Sequence, residues 1–499
     1  MSSLGRAILV LGTVSVIGTA TQIAKGKLGA IFLGASGVGV LSQLTLLYGL
    51  LFVVAGLGLF TGITRQIGLV VKSKDNRLAR AQMNSVCLFL GITALALTLT
   101  VLNQAKWISD ILFADGGARA ELVSLVILAV PIAVQQRVFR AYLNATRNLK
   151  GISRAQVTAD VTSVILFAVC AWQFGIQGAV FAFVSMHVTL LLGMLVESVR
   201  TGGIGLAIPD PRRFRWREIT PSFGYGINGL IMAITASASS IFVGRMIITF
   251  YDLEQAGIFS VAWKVATVYI GAFCAASASY YFPTLVQLGS EREIEREANL
   301  AIALYMTILP PIMAGLLVFS TPLIEIIFSS EFAPAAIVMA GLLIGDIFRL
   351  TGETMGLALI ARRKLLSHTS IYLLYSAGFV GLSWLLLPAY GLPGVAVSYI
   401  FMQVFSFCLV LVACQFSLGV RINKIGLRSL LAALFLVAPL ALVEFIQVSF
   451  SFKFGLSVAL ISIWLAASWS TDEVGRIRSK VYGRFRNSLT VFAGWIPRG

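Results

Sequence analysis

Eight charged side chains lie deep inside long apolar runs of this sequence: Arg65, Asp160, Arg245, Lys264, Asp346, Arg349, Glu353 and Glu444. A charge at the centre of a bilayer costs about 2.5–3.5 kcal/mol on insertion scales, so each must reach water, a partner or a ligand. Their signs are sorted along the chain. The runs 4–24, 43–71, 220–249 and 256–286 contain no Asp or Glu, yet with their ends they carry Lys25, Lys27, Arg65, Arg245 and Lys264. Amines and guanidinia gathered without carboxylates suit an anion with several acceptor oxygens, a phosphate or diphosphate above all, which Arg meets with paired hydrogen bonds. Snorkelling to an interface is the competing reading for Arg65, Arg245 and Lys264, which stand near helix ends. Asp346, Arg349 and Glu353 are spaced i, i+3, i+7 and so share one helical face, where they either neutralise one another or couple transport to a proton or cation. Asp160 and Glu444 have no oppositely charged neighbour in the local sequence and are further candidates for ion coupling.

The elements that position these residues follow from composition. Of the 499 residues, 58% are hydrophobic and 12% charged, against soluble norms of about 45–50% and about 25%. This is an all-α integral membrane protein. A span needs about 20 apolar residues because every backbone polar group must be satisfied within it. Fourteen stretches qualify: 4–24, 43–71, 79–103, 119–143, 153–173, 177–199, 220–249, 256–286, 298–321, 333–361, 366–388, 392–416, 429–447 and 454–470. The first is read as a retained helix rather than a signal peptide, because its removal would reverse the side on which the basic loops fall.

The net charge of +17 does not point to nucleic acid. Lys25, Lys27, Lys106, Arg119 and Lys453 fall near one face. The clusters Lys72, Lys74, Arg77 and Arg80, then Arg212, Arg213, Arg215 and Arg217, then Arg362, Arg363 and Lys364 flank spans on the other. That asymmetry places both termini in the cytoplasm, with anionic lipid headgroups against the basic loops. The alternating Glu291, Glu293, Glu295 and Glu297 read as a solvated face. Five cysteines in apolar runs and two histidines, His187 and His368, support neither a disulfide framework nor a metal centre. No Walker-type nucleotide motif is present, so no cofactor is expected and energy must come from a gradient or the membrane potential. The connection Gln104 to Ala118 is the longest on the outer face and holds no His-rich or paired-carboxylate loop, which argues against a membrane-embedded polymerase, ligase or glycosyltransferase.

An offset of 218 positions lays the first hairpin on the seventh. Gly26-Lys27 falls on Gly244-Arg245, Phe32 on Phe250, Gly39-Val40 on Gly257-Ile258 and Ser42 on Ser260. Six helices per copy make the repeat parallel, with an axis along the membrane normal. The expected organisation is an N-lobe of helices 1–6 (1–199), a basic cytoplasmic linker (200–219), a C-lobe of helices 7–12 (220–420), helices 13–14 (421–470) and a basic tail (471–499). In that arrangement Lys27 and Arg245 face one axis from opposite lobes. Pro131, Pro310-Pro311, Gly56, Gly58 and Gly62 add bending or tight packing within spans.

Three stretches resemble the Wzx-type oligosaccharide flippases of the multidrug/oligosaccharidyl-lipid/polysaccharide exporter superfamily: GKLGAIFLGASGVG from Gly26 to Gly39, followed by Gly62-Ile63-Thr64; QAGIFSVAWKVATVYIGAFCAASASYYFPT from Gln255 to Thr284; and GLLIGDIFRLTGETMGLALIARRK from Gly341 to Lys364. The resemblance implies a V-shaped pair of lobes in the bacterial inner membrane around a cationic cavity. It also implies transfer of an undecaprenyl-diphosphate-linked oligosaccharide from the cytoplasmic to the periplasmic leaflet, in which the protein does no catalytic chemistry. Lys27, Arg245 and Lys264 are carried over as cavity positions, with membrane lipid and the lipid-linked sugar as partners, and a polysaccharide polymerase and a chain-length regulator as candidate neighbours. Fourteen spans depart from the twelve usual in that group and match the peptidoglycan-precursor flippases, but the Arg-Asp pair usual there is replaced here by Lys25-Gly26. That branch and a cation-coupled multidrug exporter are the alternatives. The exporter is expected to hold a carboxylate in the first or seventh helix, and none is present there.

Overall fold

A computed structural model describes residues 3–72, 76–201, 210–220, 227–277, 281–446 and 448–469. The tail from Asp472, with Phe485, Phe492 and Trp495, lies outside them, as do the backbone of Lys74 and much of the expected linker. Among the described residues the chain is helical and without strands. In order the helices are α1 (Ser3–Ala55), α2 (Phe60–Lys72), α3 (Asn76–Asn103), α4 (Ala105–Phe113), α5 (Ala120–Ile127), α6 (Ala129–Ala145), α7 (Leu149–Arg200), α8 (Ile227–Phe250), α9 (Leu253–Ala276), α10 (Phe282–Gln287), α11 (Glu291–Val318), α12 (Ser320–Ile327), α13 (Ala335–Ala361), α14 (Leu365–Tyr390), α15 (Leu392–Leu418), α16 (Lys424–Ile446) and α17 (Phe450–Trp469). Ten described helical segments are long and apolar enough to cross a membrane. The protein is therefore a multi-pass membrane protein.

Span boundaries differ from the hydropathy reading where the backbone bends inside an apolar run. The first expected span and the opening part of the second, 43–55, lie within α1, which turns at Gly34 (φ 64°). Lys25 and Lys27 are thus well inside a helix, not at its end. The second expected span is split after Ala55, where Leu57 (φ 48°) and Gly58 (φ 67°) take left-handed conformations. The fourth is divided between α5 and α6, since Pro131 has no N–H to donate to the carbonyl of Ile127. The connection Gln104 to Ala118 is largely helical as α4, and Ala114 (φ 52°) stops it. The acidic run is not simply solvated: Glu293 closes a capping box with Ser290 at the start of α11, and a Glu295 carboxylate oxygen accepts from the Arg421 N–H at 3.0 Å.

Two compact units are present. The first comprises Met1–Ala262, Thr321–Ala335 and Tyr372–Ser398; the second comprises Trp263–Ser320, Ala336–Ile371 and Tyr399–Gly499. In the first, α7 packs along α1 and α6, and its turn is made by Gly175 (φ 55°). The returning helical arm of that turn comes so close that a Cβ on Gly178 would lie 1.9 Å from the Cys170 carbonyl. The same device recurs 216 positions on, with Gly391 at φ 65° and a Cβ on Gly394 only 2.5 Å from the Leu386 carbonyl. Apolar packing between the arms centres on Phe167, Ala171, Ala179 and Ala182, against Leu28, Phe32 and Leu41 of α1. In the second unit α11 lies against α16, and α17 packs on both.

Within the first unit α1 also crosses the junction of α8 and α9, and here the 218-residue repeat becomes a contact. A Cβ on Gly39 would sit 2.2 Å from the Leu253 carbonyl, and one on Gly257 would sit 2.0 Å from the Ala35 carbonyl. Gly39 and Gly257 are repeat equivalents, as are Ala35 and Leu253. Each copy therefore touches the other through the same pair of positions, as elements related by a two-fold must. Backbone meets backbone there, which a side chain would prevent. Gly39→Ala and Gly257→Ala are each expected to destabilise the protein by about 1–3 kcal/mol through overpacking. The double variant should cost less than the sum, because both changes open one crossing; thermal unfolding in detergent measures both effects.

Candidate functional site

Lys27 and Arg245 stand seven residues before corresponding bends, at Gly34 and at Asp252. The Lys27 ammonium donates to the carbonyl of Phe328 at 2.6 Å and reaches that of Glu325 at 3.4 Å. The Arg245 guanidinium donates to the carbonyl of Asp110. Asp110 and Phe328 are themselves 218 positions apart. The two bonds are one contact made twice, each cation of one copy binding carbonyls at the C-terminal end of a short helix, α12 or α4, of the other. Carbonyls at a helix C-terminus carry the negative end of its dipole, and that of Asp110 accepts the Ala114 N–H at 2.9 Å as well as the guanidinium. Among the described residues neither cation forms an ion pair.

The surroundings hold both acceptors firmly. Next to α12, a Glu331 carboxylate oxygen accepts from the Ala35 N–H at 3.0 Å, and Phe328 packs so near Gly26 that a Cβ there would lie 3.0 Å from its ring. After α4, Asp115 accepts from Gly117 N–H (2.9 Å), Arg119 N–H (3.1 Å), the Arg119 guanidinium (3.0 Å) and the Ser109 hydroxyl (3.1 Å). Burial pushes the Asp115 carboxyl up, but the Gly117 amide, the Arg119 guanidinium and the Ser109 hydroxyl outweigh it and hold it below the ordinary carboxylate range. The order this gives to the turn is complete above the usual aspartate pKa and is lost as pH falls through the lowered native one.

Deeper in the first unit, Lys25 donates to the Ser163 hydroxyl at 3.2 Å and lies 3.6 Å from the Met186 sulfur. Lys25 and Asp160 are electrostatically coupled, which gives Asp160 the oppositely charged neighbour absent from its local sequence. The buried Asp160 carboxylate also accepts from the Gln156 amide at 3.2 Å. Arg65 is exposed on α2.

In the second unit Asp346 is 1% exposed and takes hydrogen bonds of 2.6 Å from both the Tyr269 and Tyr399 hydroxyls. Arg349 lies 3.9 Å from it and 2.9 Å from Glu353, which also accepts from the Cys274 thiol at 3.4 Å. The i, i+3, i+7 face is thus a mutually neutralising row with two phenols completing it. Glu444, buried, is bound by Lys453 and by the Ser320 hydroxyl at 2.9 Å. Lys264 is exposed on α9, and no partner for its ammonium occurs among the described residues.

Residues 30–337 match the model of the family described as polysaccharide biosynthesis protein. The chain belongs to that family. Its relatives include the lipid III flippase of Escherichia coli K12, 24% identical over 423 residues that cover 81% of this chain and 97% of that one. A probable low-salt glycan biosynthesis flippase, Agl15, of Haloferax volcanii is 24% identical over 67% of each chain. Among solved structures, the lipid II flippase MurJ in an inward closed conformation superposes with a TM-score of 0.69, at 13% identity, covering 92% of this chain and 98% of that one. An inward-facing multidrug resistance MATE transporter gives 0.65, at 17% identity, covering 83% and 98%. Both show the fold.

For this polysaccharide biosynthesis protein the sequence points to the cations but not to what holds them. Tyr269 and Tyr399 lie far from Asp346 in sequence and carry no local signal. Glu331 and the α4 and α12 carbonyls were equally hidden, although the 218 offset links Asp110 to Phe328 once one bond is known. Glu197, buried at the end of a run, is closed by Arg154 at 2.7 Å and Arg200 at 3.1 Å. Lys453→Met is expected to destabilise the protein by about 3–5 kcal/mol by stranding the Glu444 carboxylate. Adding Glu444→Leu should recover most of that loss; a double-mutant cycle on thermal stability tests it.

Proposed function

We propose that this protein is a lipid-linked oligosaccharide flippase. It carries a polyprenyl-diphosphate-linked sugar unit, on the undecaprenyl carrier, across the bacterial inner membrane from the cytoplasmic to the periplasmic leaflet, for surface polysaccharide synthesis. The observation that carries the reading is a set of cations on the opening helices of two repeats, whose apolar runs hold no Asp or Glu, in a chain whose sequence relatives are named as flippases of lipid III and of a glycan pathway. Lys25, Lys27, Arg65, Arg245 and Lys264 supply charge and hydrogen-bond donors to a diphosphate, which lowers the cost of bringing it out of water. The polyprenyl tail stays in lipid while the headgroup passes between two six-helix lobes, 1–199 and 220–420, that rock about the repeat axis. Both termini and the basic linker face the cytoplasm. No bond is made or broken, so the protein acts as a transporter rather than an enzyme. A polymerase and a chain-length regulator would take the product onward. Peptidoglycan-precursor and drug-export alternatives have likeness of fold on their side.

Coupling to a gradient falls to carboxylates with exchangeable surroundings. Asp160 beside Lys25, and the row Asp346, Arg349 and Glu353, fit that role better than Glu444, which Lys453 and Ser320 occupy. Asp160→Asn is expected to alter the pH dependence of transport and Glu444→Gln to leave it unchanged, as read by uptake of a fluorescent lipid-linked sugar into proteoliposomes. The triple variant Lys27→Ala, Arg245→Ala, Lys264→Ala is expected to lose complementation in a flippase-deficient strain at normal protein levels. Full complementation by it would reject the cationic site.

A further inference from the structure

We propose that Lys27 and Arg245 are the two bolts of a pseudo-symmetric latch that closes the path between the repeats, and that a prenyl diphosphate opens it by drawing both cations off the helix ends that hold them. The release step rests on the flippase reading; the latch itself stands on geometry alone.

The geometry has four parts. Each bolt crosses from one repeat to the other, Lys27 to the Glu325 and Phe328 carbonyls and Arg245 to the Asp110 carbonyl. Bolts and acceptors are both related by the same 218 positions, so the arrangement obeys the two-fold set by the Gly39 and Gly257 crossing. One bond of this kind on a helix end would be ordinary capping; two in register across a repeat axis constrain both copies at once. The acceptors are neutral. Helix C-terminal carbonyls hold a cation through dipole and hydrogen bond, more weakly than a fixed carboxylate would. A doubly charged diphosphate therefore outcompetes them, whereas it would have to displace an ion pair had the cations met the carboxylates of Asp110 and Glu325 instead of main-chain carbonyls. Finally, the acceptor ends are rigid: Asp115, Ser109 and Arg119 fix the end of α4, and Glu331 ties the segment after α12 to the Ala35 N–H. A bolt that lets go leaves its keeper in place.

Holding and substrate capture then draw on one pair of side chains. Ligand free, the bolts keep the two hairpins together. With a diphosphate between them, the donors turn to its oxygens and the bonds to the opposite repeat are given up. Binding and opening are thereby linked, as a population shift requires: the ligand must interact differently with the two states.

Spin labels test this on the full-length protein in lipid nanodiscs, in a background with the five cysteines replaced by alanine. Labels at Ile31 of α1 and Ile326 of α12 report the Lys27 bolt, and labels at Phe242 of α8 and Trp107 of α4 report the Arg245 bolt; all four side chains are exposed. Without ligand, both pairs should show a dominant short-distance population. Lys27→Met with Arg245→Met should reduce that population at least about tenfold, since each bond removed is charge-assisted. The exchange Lys27→Arg with Arg245→Lys should keep it. Farnesyl diphosphate should lengthen both distances in the parent protein, and farnesol should not. If the double methionine variant keeps the short distances, or if the exchanged pair loses them, the latch is overturned. If the methionine variant opens but farnesyl diphosphate leaves the parent closed, release by the diphosphate is overturned. Should that variant also bind radiolabelled farnesyl diphosphate as tightly as the parent, it is the cationic substrate site that has failed, while the latch stands.

Discussion

Two helices meet at Gly39 and Gly257 with no side chain between them, and the arrangement of the first unit follows from that approach. Backbone contact through small residues is how membrane helices gain packing energy when lipid removes most of the hydrophobic driving force. Here it also imposes symmetry. Because the two glycines are equivalent positions of a repeat, each copy meets the other at this crossing through the same pair of positions. Lys27 and Arg245 lie about two turns from their bends on equivalent helices, so the crossing that aligns the bends also aligns the cations with helix ends in the opposite copy.

That alignment answers an energetic problem. A charge inside an apolar chain must be compensated, and three kinds of compensation among the described residues bear on exchange. Glu444 with Lys453, and Glu197 with Arg154 and Arg200, use full ion pairs. Asp346 uses two phenols with Arg349 at the edge of contact. Lys27 and Arg245 use main-chain carbonyls. The first kind leaves nothing to exchange without exposing a buried charge, which is costly. The second keeps a carboxylate satisfied in either protonation state, because a hydroxyl can donate or accept. The third has a neutral acceptor, and it is the kind a mobile anion can replace.

Much of this was legible in the sequence because it was written in period and sign. Apolar length gave the all-helical, multi-pass class, and a short run of matches gave the offset that the Gly39 and Gly257 contacts share. Bends were harder. Gly34 and Gly175 each turn the chain inside one apolar run, and hydropathy averages across such a turn without registering it. Pro131 was visible, but whether it bends or divides a span depends on the packing of its neighbours. What holds each charge was not legible at all. A hydrogen bond from Tyr399 to Asp346 joins residues 53 positions apart, and no local rule relates them; a carbonyl, present at every position, carries no sequence signal.

The two copies are not identical, and the difference shows which part of the repeat is constrained. At the second bend Asp252 caps its own helix, its carboxylate accepting from the Gln255 N–H at 2.8 Å. Its equivalent, Gly34, has no side chain to offer, and the corresponding helix start is served by Glu331 from the other copy, through Ala35. A helix start needs an acceptor for its free N–H groups, but that acceptor can come from any nearby segment. The copies have therefore diverged in the source of the cap while keeping the cap. Lys27 and Arg245 have diverged in a narrower way, from ammonium to guanidinium, with charge and carbonyl acceptor both retained. Structural capping is satisfied by any acceptor in reach, so it drifts between copies. A positive charge aimed at a helix end survives in both, as expected where the charge serves more than the helix it caps.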